Sequence, residues 1–264
     1  MLKFCVLASS SSGNCALVAT PQTRLLVDAG LSAKETYARL EAIGENPCDI
    51  DAILITHEHS DHVCGLPALA RKLAKDKKQS VPVYLTKLTA PMIDWNSPAG
   101  PPEVLEFQAG TRFRIGDIEV TSFTIPHDAV DPIGFTFVGE GAKVGIATDL
   151  GYIPDSIKVH LEDVDLLLLE SNHDLDMLKV GPYPWSVKQR VMSRKGHLSN
   201  DVASQFLLDH LSARAQTVML GHLSEHNNHP EIARLIASQA LQQRALLTEL
   251  TVCEPGQQSA LYNL

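Results

Sequence analysis

The amino-acid sequence predicts a protein of the α/β (α+β) class in which mixed β-sheets are covered by helices. Hydrophobic residues make up 44% and charged residues 20% of the 264 residues, which is typical of a folded globular protein. Short apolar runs alternate along the chain with segments of helical periodicity. Early segments form hairpin-like strand pairs and later ones alternate strand with helix. This order favours mixed sheets over one doubly wound parallel sheet.

Strands are predicted where short runs are rich in Val, Ile, Leu and Thr. The predicted strands include Phe4–Ala8, Ala16–Thr20, Leu25–Val27, Ala52–Thr56, Val81–Leu85, Glu119–Ile125, Gly134–Val138, Val144–Thr148, Leu166–Leu169, Thr217–Leu220 and Leu246–Val252. The sequence shows no internal repeat, linker or long block of charge. We therefore expect a single domain over residues 1–264.

The first helix has clear signals at both ends. It is predicted over Ala33–Ile43, with Ser32 as the N-cap, Glu35 in the capping-box position and Gly44 as the stop. Further helices are predicted over Leu66–Lys75, Val187–Met192, Asn200–Leu211 and Glu231–Gln243.

Charge and cysteine content exclude several classes of protein. Lys and Arg number 22 and Asp and Glu 31, so the net charge is 22 − 31 = −9. This disfavours nonspecific coating of nucleic acid, and such contacts would need local patches or bound cations. The five scattered cysteines contain no C-x-x-C pair, which predicts free thiols.

No apolar run suits a signal peptide or reaches the roughly 18 residues of a membrane span. We expect a cytoplasmic protein that does not contact membranes, and its oligomeric state stays open.

Histidine and aspartate side chains follow several of the predicted strands. Each of the following comes directly after an apolar run or within three residues of one: His57, His59, His127, Asp149 and His222. Strand ends lie on the rim of a sheet, where rigid strands can direct polar groups at a common point. The pattern therefore indicates one shared site.

The strongest motif is His57-Glu58-His59-Ser60-Asp61-His62. The alternative is a solvated polar turn, but three imidazoles and a carboxylate in six residues favour a two-metal site. Imidazole nitrogens and carboxylate oxygens suit Zn²⁺, Fe and Mn²⁺. His57 and His59 can point the same way from an extended segment, whereas Asp61 and His62 turn toward a second centre. The spacing differs from the H-E-x-x-H motif of metalloprotease helices.

The H-x-H-x-D-H pattern resembles the signature of the metallo-β-lactamase superfamily, and the resemblance covers essentially the whole chain. It implies a four-layer αββα sandwich with two metal ions at one edge of the two sheets. It also implies that Asp28, in Leu25-Leu-Val-Asp28-Ala-Gly30, supports the site without binding metal. The implied first metal site is His57, His59, His127 and Asp149, and the implied second is Asp61, His62, Asp149 and His222.

Such a site would have a net positive charge, because five neutral imidazoles and two carboxylates would surround two divalent ions. This charge suits an anionic substrate. A water or hydroxide between the ions would be deprotonated near neutral pH and act as the nucleophile, and Asp61 could orient it. The expected cofactors are two divalent ions, Zn²⁺ or Mn²⁺ with Fe also compatible, since these metals accept the same ligands.

Other segments resemble the YycJ/WalJ family of small bacterial proteins. They are Ala8-Ser-Ser-Ser-Ser-Gly-Asn14, Leu169-Glu-Ser-Asn-His-Asp174, Gly181-Pro-Tyr-Pro-Trp185, Gly196-His-Leu-Ser199 and His222-Leu-Ser-Glu-His-Asn-Asn228. That family is associated with 5′→3′ exonuclease activity on double-stranded DNA. The resemblance therefore implies a metal-dependent phosphodiesterase with DNA as its substrate. The chain departs from the expected pattern at His226, where we expect an acidic residue before Asn-Asn.

Other members of the superfamily fit less well. The zinc β-lactamases most used in resistance carry a cysteine where this chain has Asp149. Only 222 − 149 = 73 positions separate Asp149 from His222, which leaves no room for a β-CASP insertion. Two function classes stay open. A thiolester hydrolase of the glyoxalase II kind uses the same ligand types, but no glyoxalase-like C-terminal domain is recognisable. A noncatalytic regulator on this fold would usually have lost ligands, and all seven are present.

His197 is the second candidate catalytic residue beside Asp61. It stands just before a predicted helix whose N-cap is Ser199, where anions are favoured. The alternative is a histidine in a surface loop. The segment resembles the H-S-T segment of tRNase Z-like phosphodiesterases, which implies a general acid near the scissile phosphate. The nearby cations expected to bind flanking phosphates are Lys188, Arg190, Arg194 and Lys195.

Overall fold

The structure, a computed structural model, describes residues 1–95 and 101–264. In these ranges the chain forms fourteen β-strands in two sheets. The strands are β1 (Lys3–Ser10), β2 (Gly13–Ala19), β3 (Arg24–Val27), β4 (Ala52–Leu54), β5 (Val83–Thr86), β6 (Val104–Phe107), β7 (Arg112–Ile115), β8 (Ile118–Thr124), β9 (Ile133–Gly139), β10 (Ala142–Ala147), β11 (Leu166–Glu170), β12 (Thr217–Gly221), β13 (Glu249–Val252) and β14 (Tyr262–Asn263).

Each sheet has seven strands and is half antiparallel and half parallel. The first sheet has the order β14-β1-β2-β3-β4-β5-β6, antiparallel from β14 to β3 and parallel from β3 to β6. The second has the order β13-β12-β11-β10-β9-β8-β7, antiparallel from β7 to β10 and parallel from β10 to β13. The predicted mixed sheets are confirmed.

Eight α-helices lie within the described ranges. They are α1 (Ala33–Ala42), α2 (Ser60–Val63), α3 (Leu66–Lys77), α4 (Asp155–Leu161), α5 (Leu175–Val180), α6 (Trp185–Val191), α7 (Asn200–His210) and α8 (Pro230–Gln243). The predicted N-caps of α1 and α7 are confirmed. The hydroxyl of Ser32 accepts from the Glu35 amide at 3.2 Å, and that of Ser199 accepts from the Val202 amide at 3.3 Å.

Three apolar clusters hold the layers together. Phe4, Phe135 and Met219 belong to the cluster between the two sheets. On the outer face of the first sheet, Leu17 packs with Leu40 of α1 and Leu69 of α3 in a second cluster. A third cluster, on the outer face of the second sheet, contains residues of α4, α7 and α8. Each fully buried Leu or Phe contributes roughly 1.5–3 kcal/mol of hydrophobic free energy. The predicted four-layer αββα sandwich is confirmed.

The sequence prediction missed several short elements and misplaced some ends. Strands β6, β7 and β14 were not predicted. In β6 and β7, exposed polar residues interrupt the apolar run by which a strand is recognised. Helices α2, α4 and α5 have at most seven residues, too few for a clear helical period. The strand predicted over Val81–Leu85 begins at Val83, because Pro82 has no amide to donate to a neighbouring strand.

The cysteines are all free, as predicted. Cys5, Cys15 and Cys253 are buried, and burial raises the pKa of each thiol, which keeps these side chains unreactive. Across both described ranges, no helix combines the length and the apolar character that crossing a membrane requires.

Candidate metal centre

Seven histidine and aspartate side chains that the sequence singles out meet at one edge of the two sheets. They come from the segments after β4, β8, β10 and β12 and from α2. Their donor atoms form two groups, and within each group the atoms lie within 4.8 Å of one another. The first group, called the histidine triad below, is His57, His59 and His127. The second, called the mixed group, is Asp61, His62, Asp149 and His222.

Three side chains of this region project from residues with a left-handed backbone. The φ angles are 62° at Asp28, 61° at Asp149 and 55° at His222, and these residues follow β3, β10 and β12. Non-glycine residues rarely adopt this conformation, and such strain clusters at functional sites. Hydrogen bonds hold the turns, since the Asp28 amide donates to Leu54 O at 2.8 Å and the His222 amide to Ser9 Oγ at 2.7 Å.

The histidine triad is buried on one side and open on the other. His57 is fully buried, and its Nε2 has no hydrogen-bond partner among the described residues. Nδ1 of His59 lies 3.2 Å from Nε2 of His127. Burial and the neighbouring His62 lower the pKa of His57, so its imidazole is neutral. A neutral nitrogen without a partner is the form that binds a transition metal.

Asp149 connects the two groups. Its Oδ2 lies 3.3 Å from Nε2 of His62 without hydrogen-bond geometry, and its Oδ1 lies 3.4 Å from Nε2 of His222. The same Oδ1 is 4.0 Å from Nε2 of His127 in the triad. Asp61 completes the mixed group, with Oδ2 at 3.3 Å from Nε2 of His222. The seven side chains therefore form one continuous cluster.

Asp28 lies behind His62 rather than within either group. Its Oδ2 accepts from Nδ1 of His62 at 2.8 Å, and its Oδ1 accepts from the Thr56 amide at 2.8 Å. This bond directs Nε2 of His62 toward Asp149. Asp28 is thus placed to orient a donor, and a carboxylate in this position also raises the basicity of the imidazole.

Glu170 is a site residue that the sequence analysis missed. It is fully buried at the end of β11. Its Oε1 accepts from Nδ1 of His197 at 2.8 Å and from Nδ1 of His222 at 2.9 Å. Its Oε2 accepts from the amides of Leu150 and Leu198, each at 3.0 Å. The signal was available, because Glu170 directly follows an apolar run, in the same way as the histidines that the analysis selected.

The β1–β2 hairpin supports the mixed group from the other side. Nδ2 of Asn14 donates to Oδ2 of Asp61 at 3.1 Å, and Ser9 accepts from the His222 amide. Ser10 pairs with Gly13, so the serine-rich segment is a tight hairpin turn.

The electrostatics of the cluster favour bound cations. Burial alone would raise the pKa of Asp61 and Asp149, but the nearby His222 and His62 outweigh it and lower both. Burial would lower the pKa of His222, and Asp149 and Asp61 outweigh it and raise the pKa to about 10. In the part of the chain that the structure describes, no Lys or Arg forms an ion pair with these four carboxylates: Asp28, Asp61, Asp149 and Glu170. Buried carboxylates of this number require positive charge, from protonated histidines such as His222 or from cations that displace those protons.

His197 lies at the edge of the cluster, just before α7. Its ring centroid is 5.1 Å from that of His127 and 5.2 Å from that of His222. Its Nδ1 is bonded to Glu170 and lies 3.8 Å from Oδ1 of Asp149. Asp149, Glu170, His197 and His222 also lie close enough to share an ion. The structure therefore brings His197 to the centre but leaves its role open between acid and ligand.

Two of the four predicted substrate-binding cations are lysines in very different surroundings. Lys188 is buried in α6, and its Nζ donates to the backbone carbonyl of Lys179 at 2.7 Å. The amino group of Lys188 is thus held by a backbone carbonyl of α5, and its expected contact with a substrate phosphate stays a prediction. Lys195 is exposed in the loop before His197.

The two arginines each have a defined partner. Nε of Arg190 donates to Oδ2 of Asp128, the residue after His127. The guanidinium of Arg194 stacks over Tyr152 at 4.1 Å from the ring centroid. Both arginines therefore lie beside loops that carry donors of the cluster.

Comparison with known proteins gives matches over most of the chain. The family model for a beta-lactamase superfamily domain matches residues 23–223. The chain is 40% identical over 246 residues to exodeoxyribonuclease YycJ of Bacillus anthracis, covering 92% of this chain and 90% of the relative. It is 38% identical over 247 residues to exodeoxyribonuclease WalJ of Streptococcus pneumoniae, with the same coverage of 92% and 90%. The solved metallo-beta-lactamase fold protein YhfI of Bacillus subtilis has a similar fold, with a TM-score of 0.75, 19% identity and 98% of each chain covered.

Proposed function

Because this chain belongs to the metallo-β-lactamase superfamily, and within it to the YycJ/WalJ family, we propose that it is a 5′→3′ exodeoxyribonuclease that uses two divalent metal ions. The chain is an enzyme, a hydrolase, as the sequence predicts. The observation that carries the proposal is the convergence of seven donor side chains around buried atoms that lack partners. Among the described residues, these atoms are Nε2 of His57 and Oδ2 of Asp149.

The donor set fits two ions better than one. The triad would hold the first ion together with Oδ1 of Asp149, and the mixed group would hold the second. Asp149 lies between the groups and is within 4.0 Å of donors on both sides, so one carboxylate can serve both ions. Three imidazoles on one side, and two imidazoles with two carboxylates on the other, suit Zn²⁺, Mn²⁺ or Fe.

Two divalent ions bound here would polarise a phosphodiester and lower the pKa of a water molecule toward neutrality. The side chains around them supply orientation. Asp61 is held by Asn14 and faces His222, so its carboxylate has one fixed position in which to orient the attacking water. The charge of two divalent ions would exceed that of the two carboxylate donors, Asp61 and Asp149, and this excess would attract an anionic phosphodiester.

In this proposal His197 protonates the leaving oxygen. Glu170 accepts from its Nδ1, which fixes the ring and makes Nε2 the nitrogen that offers a proton to the substrate. The buried Glu170 also holds His222, so one carboxylate sets the position of the acid relative to the mixed group. A group that is fixed in this way needs little reorganisation during the reaction.

Metal analysis tests the dinuclear site. Protein prepared without added metal and then reconstituted with Zn²⁺ or Mn²⁺ is expected to bind two equivalents. Absence of any bound transition metal after both treatments would contradict the proposal.

Parallel assays test the substrate class. Duplex DNA labelled at the 5′ or the 3′ end, single-stranded RNA, bis-p-nitrophenyl phosphate and S-lactoylglutathione are incubated with the metal-loaded enzyme. We expect release of the 5′ label first and little hydrolysis of the thiolester. Preferential hydrolysis of S-lactoylglutathione would assign a thiolesterase, and no hydrolysis of any substrate by the two-metal protein would assign a noncatalytic regulator.

A further inference from the structure

The loop that follows His127 is tied to the first motif by Glu58. This glutamate lies between His57 and His59, and its Oε1 accepts from the backbone amide of Val130 at 2.8 Å. Its Oε2 is buried and has no hydrogen-bond partner among the described residues. Glu58 therefore ties the loop over residues 127–131 to the first motif through one solvent-exposed hydrogen bond.

The fixed loop holds an arginine of α6. Asp128 has Oδ1 at 3.5 Å from Nε2 of His127, and its Oδ2 accepts from Nε of Arg190. The side chain of Asp128 is 28% exposed and that of Arg190 is 63% exposed. Contacts thus link three segments of the chain in series, from Glu58 through the loop of Asp128 to Arg190. The guanidinium of Arg190 lies at the solvent-facing edge of the triad.

Arg190 differs from the other cations of this region. Nζ of Lys188 is bonded inside the protein, Arg194 stacks on Tyr152, and Lys195 is an exposed side chain in a loop. Asp128 occupies only Nε of Arg190, and within the described ranges Nη1 and Nη2 have no hydrogen-bond partner. A guanidinium with both Nη groups available matches two oxygens of a phosphate.

We propose that Arg190 binds a substrate phosphate next to the one that is hydrolysed, and that Glu58 and Asp128 are positioning residues for this contact. The inference rests on the proposed function and names the part of the substrate that the enzyme recognises outside the metal centre. It accounts for an acidic residue, Glu58, between two histidines of the motif.

Kinetics with two substrates test the role of Arg190. Duplex DNA has neighbouring phosphates, whereas bis-p-nitrophenyl phosphate has none. Arg190→Ala is expected to raise KM for duplex DNA by roughly 10- to 100-fold, the range of a charge-assisted contact. KM for bis-p-nitrophenyl phosphate and the metal content should stay unchanged. The slope of log KM against log salt concentration should fall by about one, as for one lost phosphate contact.

The matched control is Arg112→Ala. Arg112 is a 69% exposed arginine on β7 that also faces a carboxylate, Glu119, at 3.5 Å, so its removal should change neither KM nor the salt slope. An Arg190→Ala variant that behaves like Arg112→Ala would overturn the inference. An equal rise in KM for both substrates would also overturn it.

The positioning role has its own test. Glu58→Ala removes the acceptor for the Val130 amide, whereas Glu58→Gln keeps an acceptor oxygen. We expect Glu58→Ala to raise KM for DNA and Glu58→Gln to restore most of it. Asp128→Asn weakens the charge-assisted bond to Arg190 and is expected to raise KM for DNA too. In the double variant Glu58→Ala/Arg190→Ala the two effects should not add, because both act on one contact. Full additivity would show that Glu58 acts elsewhere.

Equilibrium binding separates this inference from the proposed function. Fluorescence anisotropy of a labelled duplex gives Kd with and without Arg190, whether or not the duplex is cleaved. Wild-type protein that binds the duplex and hydrolyses no phosphodiester would overturn the proposed function. In that case a 10- to 100-fold rise in Kd for Arg190→Ala would still support the inference, and an unchanged Kd would overturn it.

Discussion

The histidine triad and the mixed group differ in how firmly their side chains are held. In the mixed group a carboxylate accepts from the outer ring nitrogen of each histidine, Asp28 for His62 and Glu170 for His222, at 2.8 and 2.9 Å. Asp61 in turn accepts from Asn14. Every donor of the mixed group except Asp149 thus has a polar partner outside the group that fixes its direction.

The triad has weaker support. His57 has the hydroxyl of Thr56 at 3.0 Å from Nδ1, and His127 donates from Nδ1 to the Gly196 carbonyl at 3.2 Å. His59 is half-buried, and among the described residues its Nδ1 has the neighbouring ring of His127 as its one hydrogen-bond partner. Carboxylate partners increase the basicity of imidazole ligands and fix their orientation. We infer that the mixed group would bind its ion more tightly and that the triad would be the more exchangeable site.

Removal of one ligand from either group is expected to have the largest effect on hydrolysis. We expect both His59→Ala and Asp61→Ala to lose hydrolysis by more than about 10⁴-fold, beyond the range of a lost acid or base. The reason is that each variant lacks one ion of the pair. Metal analysis after reconstitution should show that each variant keeps the ion of the other group, with far-UV circular dichroism as the control for folding. A variant with full metal content and near-normal activity would refute that ligand.

Glu170 accepts hydrogen bonds from both His197 and His222, and the role of His197 decides whether one or both of these histidines are metal ligands. As a general acid, His197 should be dispensable for metal binding but not for the rate. His197→Ala is expected to keep both ions and bind DNA, and to lose roughly 10²–10⁴-fold in rate. With a p-nitrophenyl leaving group, which needs less protonation, the loss should be smaller. Loss of an ion in this variant would identify His197 as a ligand instead, and wild-type cleavage of DNA would exclude the acid role.

A substitution at Asp28 tests the difference in metal affinity between the mixed group and the triad. Asp28→Asn preserves size but replaces the ionised acceptor behind His62, so the mixed group should lose roughly 10- to 100-fold in affinity for its ion. Competition with a chelator measures the two affinities separately. The triad should retain its affinity, and an equal loss at both sites would show that the two groups are not independently supported.

Substitution of Glu45 is expected to have the smallest effect on hydrolysis. Glu45 also differs from the carboxylates of the metal centre in its partners. It is also buried, but its partners are Nζ of Lys3 at 2.7 Å and Nε of Arg24 at 2.8 Å. Burial alone would raise the pKa of Glu45, and these two hydrogen bonds outweigh it and lower the pKa below its ordinary value. Its contribution to stability is therefore present above the ordinary pKa and is lost as the pH falls through the folded-state pKa.

Glu45→Gln is expected to destabilise the protein by about 1–3 kcal/mol at pH 7, with activity and metal content unchanged. Urea denaturation from pH 7 downward should show the difference between the two proteins shrinking in acid. Glu35→Gln is the control, since the exposed pair between Glu35 and Arg39 should contribute at most about 1 kcal/mol. A Glu45 effect that grows in acid would mean that the pKa is raised rather than lowered.

The parts of the fold and site that the sequence predicted are those with a local signature. Helix α1 has a capping serine and a glycine stop, and its observed end is one residue before the predicted one. His57 to His62 form a motif within six residues, and the downstream donors follow recognisable strands. The single domain over residues 1–264 and the cytoplasmic location stay predictions.

The parts that the sequence did not predict depend on the folded chain. Glu170 is one of many acidic residues until β11 places it beside His197 and His222. Lys188 reads as a free cation until α6 turns its side chain toward the carbonyl of Lys179. In both cases the role of the side chain depends on a hydrogen-bond partner that only the folded chain brings within reach.

The order of the donors along the chain has a consequence for the synthesis of the protein. His59 and His127 of the triad are 68 positions apart, whereas Asp61 and His222 of the mixed group are 161 positions apart. The chain emerges from the ribosome N-terminus first, and a domain folds as a unit. A growing chain therefore exposes all three triad histidines long before β12 is made, and it cannot complete the second donor set. The unfinished polypeptide lacks His222 and its bond to Glu170, so the hydrolysis proposed for this chain would require the segment after β12 to join the sheet.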